Sequence, residues 1–195
     1  QISQVIPGVS EDVTVYAKWS VSNDTKYIVV HVKEAIDDSN YNIKDGTLTI
    51  NGLTSEEELT GTTNSVPSFV AKSYEGFSVT YDPSYYTYTK SGDNYILTAT
   101  SSKVISAEGN TLVLQRYSRK IITFTFDALN GTLSTSSKTI SGKYGATVAS
   151  IPTATLAGYS SSWSPSITKD TTFDEDRTYT AVYTANTNTK YTVNA

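Results

Sequence analysis

His31 is the one histidine in 195 residues, and cysteine is absent. A Ser-His-Asp relay would rest on that single imidazole, and a zinc site built from histidine and cysteine has nothing else to draw on. Alternation sets His31 on the strand face opposite Val30 and Val32, and it reads as a structural or solvent-facing residue. Calcium would need oxygen ligands. Asp174-Glu175-Asp176 and Asp37-Asp38 offer carboxylates, but neither has the Asp-x-Asp-x-Asp-Gly spacing that wraps one loop around the ion, so both read as turn residues. No metal and no cofactor is expected. Paired carboxylates for glycoside hydrolysis would need a deep cleft that small modules lack, so a carbohydrate-active enzyme or its accessory domain is the remotest reading. The chain is expected not to be an enzyme.

The tyrosines are a stronger signal. Tyr81-Asp-Pro-Ser-Tyr85-Tyr86-Thr-Tyr88 is followed by Tyr95, in a chain with 15 tyrosines. Tyrosines exposed together present flat apolar faces with hydrogen-bonding tips, suited to a sugar ring or a protein partner. Tyr81, Tyr85, Tyr86, Tyr88 and Tyr95 are therefore the candidate ligand surface. The plainer reading of the same residues is a pair of strands, with alternate tyrosines in a core. Lys33 and Lys44, with asparagines at strand ends, also suggest an intramolecular Lys-Asn isopeptide bond, which requires a buried lysine, asparagine and carboxylate in contact.

Composition dictates what must position these residues. Threonine supplies 31 of 195 residues and methionine none. Thr, Tyr, Val and Ile suit a pleated, half-buried surface better than a helix, which makes the fold mainly β with little or no helix. Net charge is −4 and the 15 Lys and Arg are scattered, so no nucleic-acid partner is indicated. No stretch approaches the ~20 apolar residues of a membrane helix, and no membrane insertion is expected in this segment.

Alternation places Val13, Val15, Ala17 and Trp19 on one strand face, and does the same for Ile28, Val30 and Val32 and for Ile122, Phe124 and Phe126. Further strands are expected at 47–51, 77–81, 95–100, 111–117 and 178–183. Asn130-Gly131 directly after the 121–126 strand predicts a hairpin turn, because both residues tolerate positive φ. Helix support is confined to single turns at 55–58, where Ser55 and Glu58 have capping-box spacing, and at 146–150.

Internal similarity organises the whole. Residues 11–30 and 175–194 share eight of twenty positions at an offset of 164 (175 − 11), and Lys-led strands start at Lys26, Lys120 and Lys190, 94 and 70 residues apart. Two unlike modules in alternation account for this.

The residues Thr125-Phe126-Asp127, Asn130-Gly131, Tyr144-Gly145, Ile151-Pro152, Gly158-Tyr159, Trp163 and the closing strand 178–183 resemble the Listeria-Bacteroides repeat, or internalin B-repeat, across 120–184. Residues 15–19, Val-Tyr-Ala-Lys-Trp, resemble the end of another copy within 1–20. Departures are the extra Leu129, Ser162 in place of Gly, and Tyr183 in place of the closing Trp. Residues 26–119 are similar to mucin-binding-protein-like (MucBP-like) repeats through Tyr27-x-Val29-x-His31, Leu59-Thr60-Gly61-Thr62-Thr63, residues 72–77 and Leu112-Val113-Leu114, with about 30 additional residues near 78–108.

The resemblances imply tandem β-grasp-like modules on a secreted or wall-attached bacterial protein. The implied division is 1–24, the end of a preceding module plus linker; 25–119, the MucBP-like module; 120–187, the B-repeat module; and 188–195, the start of another. The expected role is a non-catalytic stalk or spacer in adhesion at the bacterial cell surface, with neighbouring repeats as partners. The alternative is direct binding of a host glycan or surface protein through the tyrosine-rich segment.

Overall fold

The computed structural model describes residues 14, 16–37, 39–41, 43–79, 81–188 and 192. Strands dominate: β1 (Thr25–Lys33), β2 (Ile43–Lys44), β3 (Thr47–Thr49), β4 (Ser55–Gly61), β5 (Phe77–Val79), β6 (Ser84–Ser91), β7 (Asn94–Ala99), β8 (Thr111–Arg119), β9 (Ile121–Asp127), β10 (Thr132–Leu133), β11 (Thr139–Lys143), β12 (Ala154–Thr155), β13 (Tyr159–Ser164) and β14 (Arg177–Ala185). A single 3-10 turn, Ile50–Gly52, is the helical content of the described residues. The fold is mainly β, as composition requires.

The strands form an eight-stranded sheet, ordered β2-β3-β7-β6-β8-β1-β4 with β5 also on β8, a four-stranded sheet ordered β11-β9-β14-β13, and a two-stranded β10-β12 pair. In each of the two larger sheets a parallel pair joins distant strands, β1 with β8 and β9 with β14.

Tyr27 to Val32 of β1 are all buried, which corrects the expectation of one inward face. Central strands covered on both faces carry continuous apolar runs rather than alternation. Ile28, Val30 and Val32 pack with Leu48, Tyr95, Leu97, Leu112 and Leu114. Tyr27 and Val29 pack on the other face with Ile105 and Val113. The sheet curls to achieve this. Four strand spacings separate β7 from β4, about 19 Å in a flat sheet, yet the Tyr95 hydroxyl donates to Glu56 Oε1 of β4 at 2.8 Å.

The second sheet keeps alternation, with Ile122, Phe124 and Phe126 buried beside outward Ile121, Thr123 and Thr125. Phe124 stacks on Phe173 at 4.6 Å and Phe126 on Tyr179 at 5.3 Å, and Trp163 meets Phe126 edge-on.

Several local expectations are overturned. Residues 55–58 are strand, not a capped helical turn: β4 pairs antiparallel with β1, and Glu57 and Glu58 each find a lysine, Lys72 and Lys26. Tertiary partners here override a local capping pattern. Residues 146–150 form no helical turn either, because Thr147 bridges Thr172 in extended pairing. Asn130-Gly131 does lie at a turn, with Gly131 N–H donating to the Ala128 carbonyl, but the positive φ falls on Leu129. The next strand, β10, joins β12, while β9 takes β11 as its antiparallel neighbour. The expected strand at 13–19 is not formed where described: residues 14 and 16–20 lie in no strand, and Tyr16 and Trp19 are 88% and 89% exposed. Residues 1–13 and 15 lie outside the described residues, as does the Lys190 strand start.

Candidate functional site

The five candidate tyrosines do not share one surface. β6 alternates, so Tyr85 packs against the Tyr27, Val29 and Val113 face, while Tyr86 and Tyr88 pack against the Ile28 and Val30 face. Tyr95 is 0% exposed and is core, which removes it from any ligand surface. Its ring meets Tyr88 edge-on at 5.1 Å, and burial, with the hydrogen bond to Glu56, pushes its phenol far above the ordinary tyrosine range. The segment near 78–108 supplies Tyr95, Leu97 and Ile105 to the core, so it is integral to the sheet. Tyr81, 52% exposed, and Tyr86 do converge.

They meet in a cleft of about 370 Å³ whose lining includes Tyr41, Tyr81, Tyr86 and Arg116, with Ser39, Asn40 and Ile43. Tyr41 comes from the loop between β1 and β2 and holds φ +55°, a costly backbone for a bulky residue. Its hydroxyl is bonded to Ser118 Oγ at 2.7 Å, its ring stands edge-on to Tyr81 at 6.2 Å, and the Arg116 guanidinium lies 5.7 Å from its centroid. Burial raises the Tyr41 phenol above its usual value. Arg116 projects from β8, donating to Ser84 Oγ at 2.7 Å and to the Tyr86 hydroxyl at 3.4 Å. Gln115 donates to the Tyr81 carbonyl at 3.1 Å and so secures the loop carrying that ring. No described ion pair engages Arg116, and no described lining residue is a carboxylate. Sequence reasoning missed Tyr41 and Arg116. The one signal was a basic side chain interrupting the apolar run of β8.

His31 lies elsewhere and is fully buried. Lys72 N–H donates to the Tyr117 hydroxyl at 2.8 Å, which leaves that hydroxyl to donate to His31 Nδ1 at 2.7 Å. His31 Nε2–H then donates to Glu57 Oε1 at 3.1 Å, and the Lys72 ammonium reaches the same oxygen at 2.6 Å. Both ring nitrogens are thus satisfied in the neutral form. Burial and the Lys72 charge lower the His31 pKa, against the pull of Glu57. The cluster fastens residues 68–74 to the sheet, a structural role.

The remaining candidates are occupied locally. Arg177 pairs with Asp174 at 3.2 Å and Glu175 at 2.8 Å, and Asp176 accepts Thr123 N–H at 2.8 Å. Among the described residues no cluster of three His, Cys, Asp or Glu is placed to hold a metal. Asp37 is exposed, and Asp38 lies outside the described residues. The Lys33 ammonium sits over the Tyr74 ring at 4.3 Å, and Lys44 is exposed.

A third arrangement joins the two larger sheets. β8 ends at Arg119 and β9 begins at Ile121, with Lys120 alone between them. Glu34 Oε2 accepts Arg119 N–H and the Glu34 carbonyl accepts Arg119 Nε, each at 2.8 Å, while Arg119 Nη1 donates to the Tyr144 carbonyl at 2.7 Å. Lys143 of β11 pairs with Glu34 Oε1 at 2.7 Å. Lys120 N–H donates to the Gly76 carbonyl at 2.9 Å, and Phe77 meets Tyr144 edge-on at 6.2 Å. No protein-family model matches the chain, and no curated protein matches it.

Proposed function

We propose that this chain is a non-catalytic, load-bearing stalk segment of a bacterial cell-surface protein. The resemblance of residues 26–119 to MucBP-like repeats and of 120–184 to the Listeria-Bacteroides repeat motivates the surface location and the tandem, β-grasp-like reading. The observation that carries the mechanical role is the parallel pairing of entry and exit strands. The chain enters the larger sheet through β1 and leaves it through β8, with Tyr27 to Lys33 registered against Thr111 to Tyr117. It enters the smaller sheet through β9 and leaves through β14, again parallel.

Tension applied at the ends of two parallel neighbours slides one along the other, so their ladder bonds are loaded together rather than opened singly. The clamp at Lys120 transmits that load from one sheet to the next with little slack. Among the described residues no helix is long and apolar enough to cross a membrane.

Single-molecule pulling of the full chain through its ends tests this. End-to-end pulling should unfold the larger sheet at a markedly higher force than attachment through residues 25 and 61, which peels β4 from β1. Val113→Pro should lower the end-to-end force by deleting a ladder donor from β8. Equal forces in the two geometries would sink the stalk reading.

A further inference from the structure

We infer that β13 is the site at which two copies of this chain pair, edge to edge and antiparallel, centred on Ser161. The pairing goes beyond load bearing and does not depend on it. The first ground is that β13 ends its sheet and lacks the usual guards of an edge. Native edge strands are kept from pairing by charge, proline, bulges or brevity. β4, one edge of the larger sheet, carries Glu56, Glu57 and Glu58 in succession, and β2, at the other edge, is two residues long. β11, the opposite edge of the smaller sheet, ends in Lys143, which is drawn to Glu34. β13 reads Tyr-Ser-Ser-Ser-Trp-Ser, uncharged, free of proline and exposed from Tyr159 to Ser162.

The second ground is the direction of the backbone groups. Asn186 N–H donates to the Gly158 carbonyl at 2.8 Å, which continues the β13-β14 ladder by one pair. Hydrogen-bonded pairs alternate along an antiparallel ladder. Ser160, Ser162 and Ser164 therefore turn their backbone groups toward β14, and Tyr159, Ser161 and Trp163 turn theirs toward the open edge. The Leu156 carbonyl takes the Tyr159 N–H at 3.1 Å, while among the described residues no loop or side chain takes that of Ser161 or Trp163. Residues 152–154 lie under the inner face rather than along this edge. Ser161 Oγ and Trp163 Nε1 reach the Ala154 and Pro152 carbonyls there, on the side where Trp163 meets Phe126.

The third ground is self-complementarity. A twofold axis through the edge at Ser161 sets Ser161 opposite itself, Tyr159 opposite Trp163, and Ser160 opposite Ser162, the isologous match that such symmetry requires. Outward groups then meet outward groups. The Ser161 pair exchanges two bonds, and each Trp163 N–H meets the Tyr159 carbonyl of the second copy. Each Tyr159, 45% exposed, gains a cross-strand aromatic neighbour, and this happens twice. An unrelated extended segment would match the backbone but not both aromatic pairs.

A single strand edge belongs to the size class of transient contacts, so the pairing is weak and counts where copies are crowded. β13 runs antiparallel to β14, the strand by which the chain leaves the smaller sheet. Antiparallel pairing reverses that direction in the second copy. On the stalk reading it joins segments that approach from opposite sides, as from two facing cells.

The experiment is sedimentation equilibrium of the full chain from about 10 μM to about 1 mM, the effective concentration of tethered neighbours, with amide chemical shifts recorded over the same series. Dimer should accumulate with concentration, and shifts should concentrate at residues 159–164. Ser160→Lys with Ser162→Lys, both at exposed positions, sets like charges opposite each other and should weaken the dimer about tenfold. Ser160→Glu with Ser162→Lys should restore it, because only antiparallel register sets Glu opposite Lys. The inference is overturned if the chain stays monomeric throughout, if shifts arise elsewhere, if the double lysine variant dimerises as well as wild type, or if the Glu-Lys variant does not recover. Should the lysine variant misfold, Ser161→Pro replaces it, since it deletes an outward N–H and spares the ladder to β14; undiminished dimer in that variant would overturn the inference.

Discussion

Glu34 and Arg119 are bonded twice over, side chain to backbone and backbone to side chain, each at 2.8 Å. Arg119 is the last residue of β8, so this pairing fixes the direction in which the chain leaves the larger sheet. Its third bond, to the Tyr144 carbonyl, fixes where the smaller sheet is received.

Replacing Glu34 by alanine should therefore do two things at once. Loss of charge-assisted bonds to Lys143 and Arg119 should cost about 2 kcal/mol, read from denaturant unfolding. The two sheets should also lose their common alignment, measured by residual dipolar couplings. A single alignment tensor retained in the variant would show that the joint does not depend on this clamp.

Acid should mimic that variant. Burial alone would raise the Glu34 carboxyl, but Lys143 and the Arg119 N–H outweigh it and hold its pKa below the ordinary value. A carboxyl depressed in the folded state contributes stability fully present above the unfolded pKa of about 4.3, and loses it as pH falls through the lower folded value. Common alignment should persist at pH 6 in wild type and be lost only as pH falls below the ordinary carboxylate range. Loss at pH 6 would contradict the assignment.

His31 predicts a separate window. Its pKa is lowered in the folded state, so the unfolded chain takes up a proton near pH 6.5 that the folded chain does not. Stability should fall as pH drops below about 6.5, by at most ~1.4 kcal/mol per pH unit from this group. His31→Gln should flatten that slope between pH 7 and 5. The charged groups facing the ring, Lys72 and Glu57, stay ionised across this range.

Gly76 touches the partner sheet directly. It holds φ +75°, and a methyl there would enter the Tyr144 ring. Gly76→Ala should cost about 2–4 kcal/mol, from left-handed backbone strain together with overpacking. Tyr144→Ala in the same background should recover the packing share but not the backbone share; full recovery would show that strain at Gly76 is negligible.

The tyrosines can be sorted by stability alone. Tyr95→Ala should destabilise by ~3–5 kcal/mol as a large core truncation, whereas Tyr81→Ala should fall within about 0.5 kcal/mol of wild type. Thermal or urea unfolding of the two variants side by side decides it.

Legibility followed the range of the interactions. β9 and β14 were visible because one face of each strand meets a core and the other faces outward, leaving a period of two along the chain. β1 was located but its burial was misjudged, since Tyr27, Val29 and His31 face a second apolar layer that local alternation does not register. β4 carried a helix-capping spacing, while its actual partners lie on β1 and around Lys72. The cleft was half legible. Tyr81 and Tyr86 stood out by clustering, but Tyr41 reaches it from a loop and Arg116 from a strand 75 positions later, a meeting set only by the curl of the sheet.

Lys120 stands alone between two strands, and that spacing constrains how such a chain can change. Side chains alternate faces along a strand, so one inserted residue at 120 would turn β9 over relative to β8 and carry Tyr144 away from Arg119. Length at this point is thus under tighter restraint than residue identity. Exchange of segments between related chains should leave the seam at 119–121 whole and place its crossovers in the stretches outside the strands, at 20–24 and 186–188.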